Sequence, residues 1–389
     1  MTSAYMTYRI AKMMAACLSS MLMFMQSSTA QVERIWLTSK SNQLDKVVVN
    51  WETTKPGNSV VNYGTTEKYG NTVIVEGSTT LHHVEIPIDT EVPEYHYRVS
   101  TGGEESSNNT FKIPSNKELR VAIVANWHRR PNLDAVLKDS IHLLMTAGDN
   151  ITDLHSHCGA GVKDCTKAYR PLIDTYPKLF PSVIFMPVLG NHDREIRPRG
   201  KEPPNNPVYD IEATAYRQFF ALPNDGWKWY IDIPKFDVRF VALDFNHITD
   251  QGTTWQSCHP FGRGSQQFEW YRSIMTKNDK NYVITLHNEK NDRTRQQVDG
   301  EWHRMFQQGT AVITGYGHFA ERAEEDKTQY FNTSLNGKGN KFPDKDSRFF
   351  ESQDNYILIT IFRNTSTMRS ELKSLNGDVL EQFEWIEND

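Results

Sequence analysis

The chain has 389 residues, with 43 Lys and Arg against 48 Asp and Glu and a formal net charge of −5. Its basic residues are dispersed rather than massed, which argues against a nucleic-acid surface and favours a small or soluble substrate. A chain of this length is expected to form two domains once a leader is set aside.

Residues 1–30 carry Arg9 and Lys12, an apolar stretch from Met13 to Met25, and Ser28-Thr29-Ala30, with small residues where a signal peptidase would cut. This reads as a secretory signal peptide, since the apolar stretch is too short to span a bilayer as a helix. Nothing later is longer, so we expect a secreted or periplasmic protein with no transmembrane segment after the signal. Cleavage leaves Cys158, Cys165 and Cys258. Cys158 and Cys165 share a Gly-containing loop, where a local disulfide is reasonable in an oxidising compartment, and the odd thiol would stay free. The rival reading, a Cys/His metal site with His155 and His157, fits no structural zinc spacing.

Between residues 31 and 115, the runs Lys46–Trp51, Ser59–Tyr63, Thr72–Val75, His83–Ile86 and Tyr95–Val99 alternate and are bounded by turn residues. Short strands at this spacing predict an all-β sandwich. Ser106–Lys117, polar and with Pro114, reads as a linker. From Leu119 onward, apolar runs alternate with helical patterns. Strands are expected at Val121–Val124, Val183–Leu189, Val283–His287 and Ile313–Thr314, and helices over Leu133–Leu144, Tyr169–Leu179 and Gln266–Met275. Tyr356–Phe362, Thr367–Ser374 and Val379–Trp385 read as sheet-edge hairpins around Asn376-Gly377. The alternation implies an α/β fold.

Five strand runs, the four expected between Val121 and Thr314 and the strand end Met145–Ala147, lead into turns rich in metal-binding or acid–base residues: Asn126-Trp127-His128, Gly148-Asp149-Asn150, Gly190-Asn191-His192-Asp193, His287, and Gly315-Tyr316-Gly317-His318. An Asp after a strand can hold a divalent ion, an Asn carbonyl oxygen can join it, and a following His can protonate a leaving oxygen. Taken singly, each has a plainer explanation. Asp149 could be a turn residue, His287 and His318 satisfied core histidines, and Arg129, Arg130 and Arg322 solvated surface rather than phosphate ligands. Trp255, Trp270 and Trp302 read as core.

The order of these turns resembles the calcineurin-like metallophosphoesterases, and the flanking sequence looks most like their purple acid phosphatase branch, over roughly residues 31 to 389. The resemblance implies a two-sheet α/β sandwich at 118–389, preceded by a small fibronectin III-like β-sandwich at 31–115. It also implies a two-metal centre. Three positions depart from the family: Asn126 replaces an Asp, Thr152 a metal-binding Tyr, and Ala320 the last His. Carried over residue by residue, Asp149, Asn191, His287 and His318 would fill one metal pocket, while the other is stripped to Asp149 with Asn126 and His128 as substitutes. His192 would be the leaving-group acid, and Asp193 would orient it or its loop. With one carboxylate against up to four positive charges, a single zinc, manganese or iron ion is expected, two remaining open. The implied function is a secreted metal-dependent phosphoester hydrolase acting on a phosphorylated small or soluble substrate. The alternative is a catalytically impaired relative that binds a ligand, glycan or protein.

Overall fold

A computed structural model describes residues 31–114, 116–339 and 341–386. The expected signal peptide lies outside these residues. Among them the chain forms two sheets, of twelve and seven strands, with short helices packed around them. This is the expected α/β class with two layered sheets.

Each sheet contains a parallel core. In the first, Glu118–Val124, Leu143–Thr146 and Ile184–Met186 run side by side and parallel. The second holds Val238–Ala242, Tyr282–His287, Ala311–Thr314 and Thr328–Asn332, again all parallel. Leu143–Thr146, Ile184–Met186, Tyr282–His287 and Ala311–Thr314 are buried throughout. Strands covered on both faces read as unbroken apolar runs, which is how they showed in the sequence. Because parallel strands point the same way, the turns after residues 124, 146, 186, 287 and 314 collect beyond their carboxyl ends, where α/β sheets bind ligands.

The antiparallel strands Asn355–Phe362, Thr367–Ser374 and Val379–Ile386 extend one side of the first sheet, as the hairpin pattern predicts. The N-terminal strands lie at its other end, where Leu37 pairs with Ile184. There the separate short runs merge. Lys46–Trp51 and Ser59–Tyr63 are halves of one strand, Lys46–Gly64, whose register with Asn71–Pro87 slips around Gly57. Residues 31–114 share a core with the rest of the chain: the Trp36 ring stacks on Phe219 at 4.3 Å. Buried Glu52 also reaches across to Arg170 at 2.8 Å.

Two helices are shorter than expected. The pattern from Leu133 to Leu144 yields a helix only over Asp134–Lys138, because Leu143 onward is claimed by strand pairing with Val121. Tyr169–Leu179 is helical over Arg170–Thr175. The helix Gln266–Thr276 is nearly as expected, capped by Ser265, whose hydroxyl accepts the Phe268 N–H at 3.3 Å. No helix among the described residues is long and apolar enough to cross a membrane. Cys158 and Cys165 are disulfide-bonded, and Cys258 is a buried free thiol.

Candidate metal centre

The site is built first from backbone. The end of Glu118–Val124 is tied to the next turn by the Asn126 N–H on the Gly148 carbonyl (3.2 Å) and the Trp127 N–H on the Asp149 carbonyl (2.7 Å). Asp149 itself sits at φ 58°, a left-handed conformation that costs a non-glycine residue energy and is held by this pairing. Gly190 is required by close approach, since a Cβ there would lie 2.1 Å from Asp149 Oδ1. The Asp149 carboxylate oxygen also accepts the His192 N–H at 3.3 Å.

Asp193 staples the two turns from below. Wholly buried, its carboxylate accepts the Asn150 N–H at 3.1 Å, the Asn150 side-chain amide at 2.9 Å and the Gly190 N–H at 2.8 Å. Burial and neighbouring Asp149 raise its pKa to about 7 despite these donors. Its contacts hold the Asn150 and Gly190 turns together. Asp193→Asn would set an amide NH₂ against donors, leaving one buried N–H unmet, and is expected to lower stability by about 1–3 kcal/mol in chemical denaturation.

Above this base, ligand atoms of His128, Asp149 and His192 all lie within 4.8 Å of one another. His128 Nε2 is 4.0 Å from Asp149 Oδ2, and its ring meets that of His192 at 4.7 Å. His318 stacks beside His128 at 5.6 Å. Its Nδ1 lies 3.1 Å from the Asn336 carbonyl and donates to it, which fixes the orientation of the ring. Burial, helped by His192 and His318, outweighs Asp149 and lowers the His128 pKa to about 4, keeping that imidazole neutral and able to donate. At His192, burial is overcome by Asp149 and Glu195, and the pKa rises to about 9. One carboxylate and the neutral His128 imidazole, with Asn191 directly before His192 in the chain, begin a donor set suited to zinc, manganese or iron.

His287 does not join this group. Its ring turns into apolar packing, meeting Phe245 at 5.6 Å and Phe306 at 6.3 Å, and its Nδ1 accepts the Glu289 N–H at 3.1 Å. Burial drives its pKa down to about 3. Strand alternation sets this facing, because neighbouring side chains face opposite ways, and the buried Nε2 has no hydrogen-bond partner among the described residues. Asn288 faces the metal-side turns instead, donating to the Ala147 carbonyl at 2.9 Å. Asn126 is at the site, but its amide nitrogen donates to Gly315 O and Ser334 Oγ, leaving only its oxygen for an ion. An Asp at 126 would bring a carboxylate against the Gly315 carbonyl. Arg322 is committed to Glu381 at 2.7 Å.

Several neighbours gave no signal in the motif pattern. Glu195 Oε2 lies 3.1 Å from His192 Nδ1, an ion-pair approach not aligned as a hydrogen bond. Its other oxygen is 3.7 Å from His155 Nε2, and Asp153 is 3.5 Å from His155 Nδ1. The i,i+3 spacing of His192 and Glu195 was the one available clue. Tyr209 and His247 are near enough for the Asp149 charge to act on them.

Neither a protein-family model nor a curated protein matches the sequence. Solved structures do share the fold. Purple acid phosphatase PPD1 from yellow lupin (Lupinus luteus) seeds superposes with a TM-score of 0.69 at 14% identity, over 91% of this chain and 74% of that one. PhoD does so with a TM-score of 0.65 at 11% identity, over 91% and 90%. The chain thus has the fold of the calcineurin-like metallophosphoesterases. Its arrangement is like that of the purple acid phosphatase from lupin seeds.

Proposed function

We propose that this chain is a secreted or periplasmic metal-dependent phosphoester hydrolase, with a metal pocket built on Asp149, His128 and His318 and with the Asn191 and Asn126 oxygens beside it. The observation that carries the reading is the convergence of His128, Asp149 and His192 beyond the parallel strand ends. The secretory reading is supported by the leader-like residues 1–30 and by the Cys158–Cys165 disulfide. A bound ion would supply a Lewis acid for phosphate oxygens and lower the pKa of water toward neutrality.

The chain's own residues supply the rest. Asp149 gives the pocket its negative charge and, through the His192 N–H, sets the Gly190 turn. His192, charged at neutral pH, directs Nδ1 at Glu195, so Nε2 holds the proton to be delivered. In the balanced step, a water oxygen bonds to phosphorus, the ester P–O bond breaks, the leaving oxygen takes the His192 Nε2 proton, and a water proton passes to solvent. With only Asp149 as a carboxylate among the proposed ligands, one ion is favoured over two.

The test is elemental analysis of protein purified without chelators, with turnover of an aryl phosphate in added zinc or manganese. Bound metal with turnover supports the reading; bound metal without turnover favours a ligand-binding protein that has lost catalysis. His192→Ala is expected to cut turnover by about 10²- to 10⁴-fold while metal content holds. Loss of metal in that variant would make His192 a ligand.

A further inference from the structure

Beside the proposed metal pocket lies a cavity of about 140 Å³ that shares with it the His128 side chain and the loop after Asp149. One wall is apolar and rigid. The Trp127 and Tyr176 rings pack at 5.2 Å, and their polar tips satisfy each other: Trp127 Nε1 donates to the Tyr176 hydroxyl at 3.2 Å, which donates to the Pro131 carbonyl at 2.9 Å. Both rings therefore offer carbon to the cavity, and Leu172 adds to it. The opposite character comes from Arg129 and Arg130. Both are exposed, and neither has an ion-pair or hydrogen-bond partner among the described residues. The other arginines around the site are committed, Arg194 to Asp244 at 2.7 Å and Arg199 to Asp250 at 2.6 Å. No Asp or Glu lines the cavity.

From this juxtaposition we infer that the cavity is the leaving-group subsite, and that the preferred substrates are phosphoesters of a compact alcohol, about one six-membered ring in size, bearing its own anionic group. The inference rests on the hydrolase reading. Size sets the scale, since about 140 Å³ in a cleft open on one side compares with the roughly 150 Å³ of an enclosed cavity that holds a benzene ring. The Trp127 and Tyr176 rings in the lining favour an aromatic body. Two uncommitted guanidiniums without a competing acid favour a carboxylate or second phosphate at the outer end, and their planar forks suit either oxyanion. The phosphoryl group would lie toward His128, putting the leaving oxygen between the metal pocket and the cavity.

The experiment compares kcat/KM for phenyl phosphate, 4-carboxyphenyl phosphate, 1,4-phenylene bisphosphate and 2-naphthyl phosphate on the full chain with zinc or manganese supplied. The anionic esters are expected to exceed phenyl phosphate by about tenfold, from two exposed charge contacts, and the naphthyl ester to fall below it. Which anionic ester leads tells carboxylate from phosphate. In Arg129→Ala/Arg130→Ala, the ratio of 4-carboxyphenyl to phenyl phosphate should collapse to about one. Hydrolysis of phenyl phosphate with no anionic preference in the parent, or a preference kept in the double variant, overturns the inference. If no ester is hydrolysed, the hydrolase reading fails separately, and 4-hydroxybenzoate then probes the cavity through tryptophan fluorescence. Saturable binding abolished in the double variant upholds the subsite, and absence of binding in the parent overturns it.

Discussion

Asp149→Ala is expected to strip the chain of bound metal, lowering affinity by more than the roughly 10- to 100-fold typical when a merely supporting residue is lost. Asp149 is the one carboxylate in the group with His128 and His192, so its removal leaves neutral donors and a cationic His192 facing the ion. The measurement is metal content after dialysis, with circular dichroism to confirm folding. A variant that keeps metal as well as the parent would sink the assignment. Gly190→Ala should give a similar loss by another route. Its methyl group would fall 2.1 Å from Asp149 Oδ1 and 2.3 Å from the Asp149 nitrogen, so the carboxylate or the turn must move. If Gly190→Ala binds metal normally, the turn is looser than its packing implies.

The largest stability effect should come from Asp244→Ala, just behind the site. Asp244 is fully buried, and its Oδ1 accepts from Arg194 at 2.7 Å. Its Oδ2 accepts the His259 N–H at 2.9 Å and faces His259 Nδ1 at 2.7 Å. Arg194 is equally buried, with a second donor on the Ile211 carbonyl at 3.0 Å. Truncating the acid leaves a buried guanidinium uncompensated, at about 3–5 kcal/mol, and the melting temperature should drop by on the order of 10 °C. The pH dependence gives a second readout. Burial alone would raise the Asp244 pKa, but Arg194 and His259 outweigh it and hold the carboxyl below its usual value. Its stabilisation is thus present above the ordinary carboxylate range, near about 4, and lost as pH falls through the folded value. The gap between parent and variant should narrow in acid; a constant gap would mean the loss is one of packing. Arg194 directly follows Asp193, so the variant should also loosen the Gly190–Arg194 turn and weaken metal binding.

Motif order and apolar runs were legible in the sequence because both are local. Buried parallel strands announce themselves as unbroken Val, Ile and Leu, and the turns after them place Asp149, Asn191 and His192 one behind the other along the chain. The Gly before Asp149 and the Gly before Asn191 were visible as turn residues, though not the reason for Gly190, which lies in its approach to a side chain from another turn. Helix lengths were less legible. Leu133–Leu144 carries a helical pattern to its end, yet pairing with Val121 and Ala122 converts Leu143 and Leu144 to strand, a non-local gain that outweighs propensity.

Within the site, the sequence by itself determined the chemistry at hand: two Asp, several His and three Asn at strand ends, with Asn126, Thr152 and Ala320 at positions where the family resemblance leads one to expect ligands. Only the tertiary structure decided which of them meet. His287 and Asn288 are adjacent in sequence, and either could serve a site; the facing of the strand end turns the imidazole into the Phe245–Phe306 core and the amide toward Ala147. Arg129 and Arg130 stand beside the cavity through a turn whose path no spacing rule specifies, whereas the i,i+3 spacing of His192 and Glu195 left one trace in the sequence. Side-chain facing and loop path depend on packing between segments that are not neighbours in sequence, and such contacts leave no periodic trace along the chain.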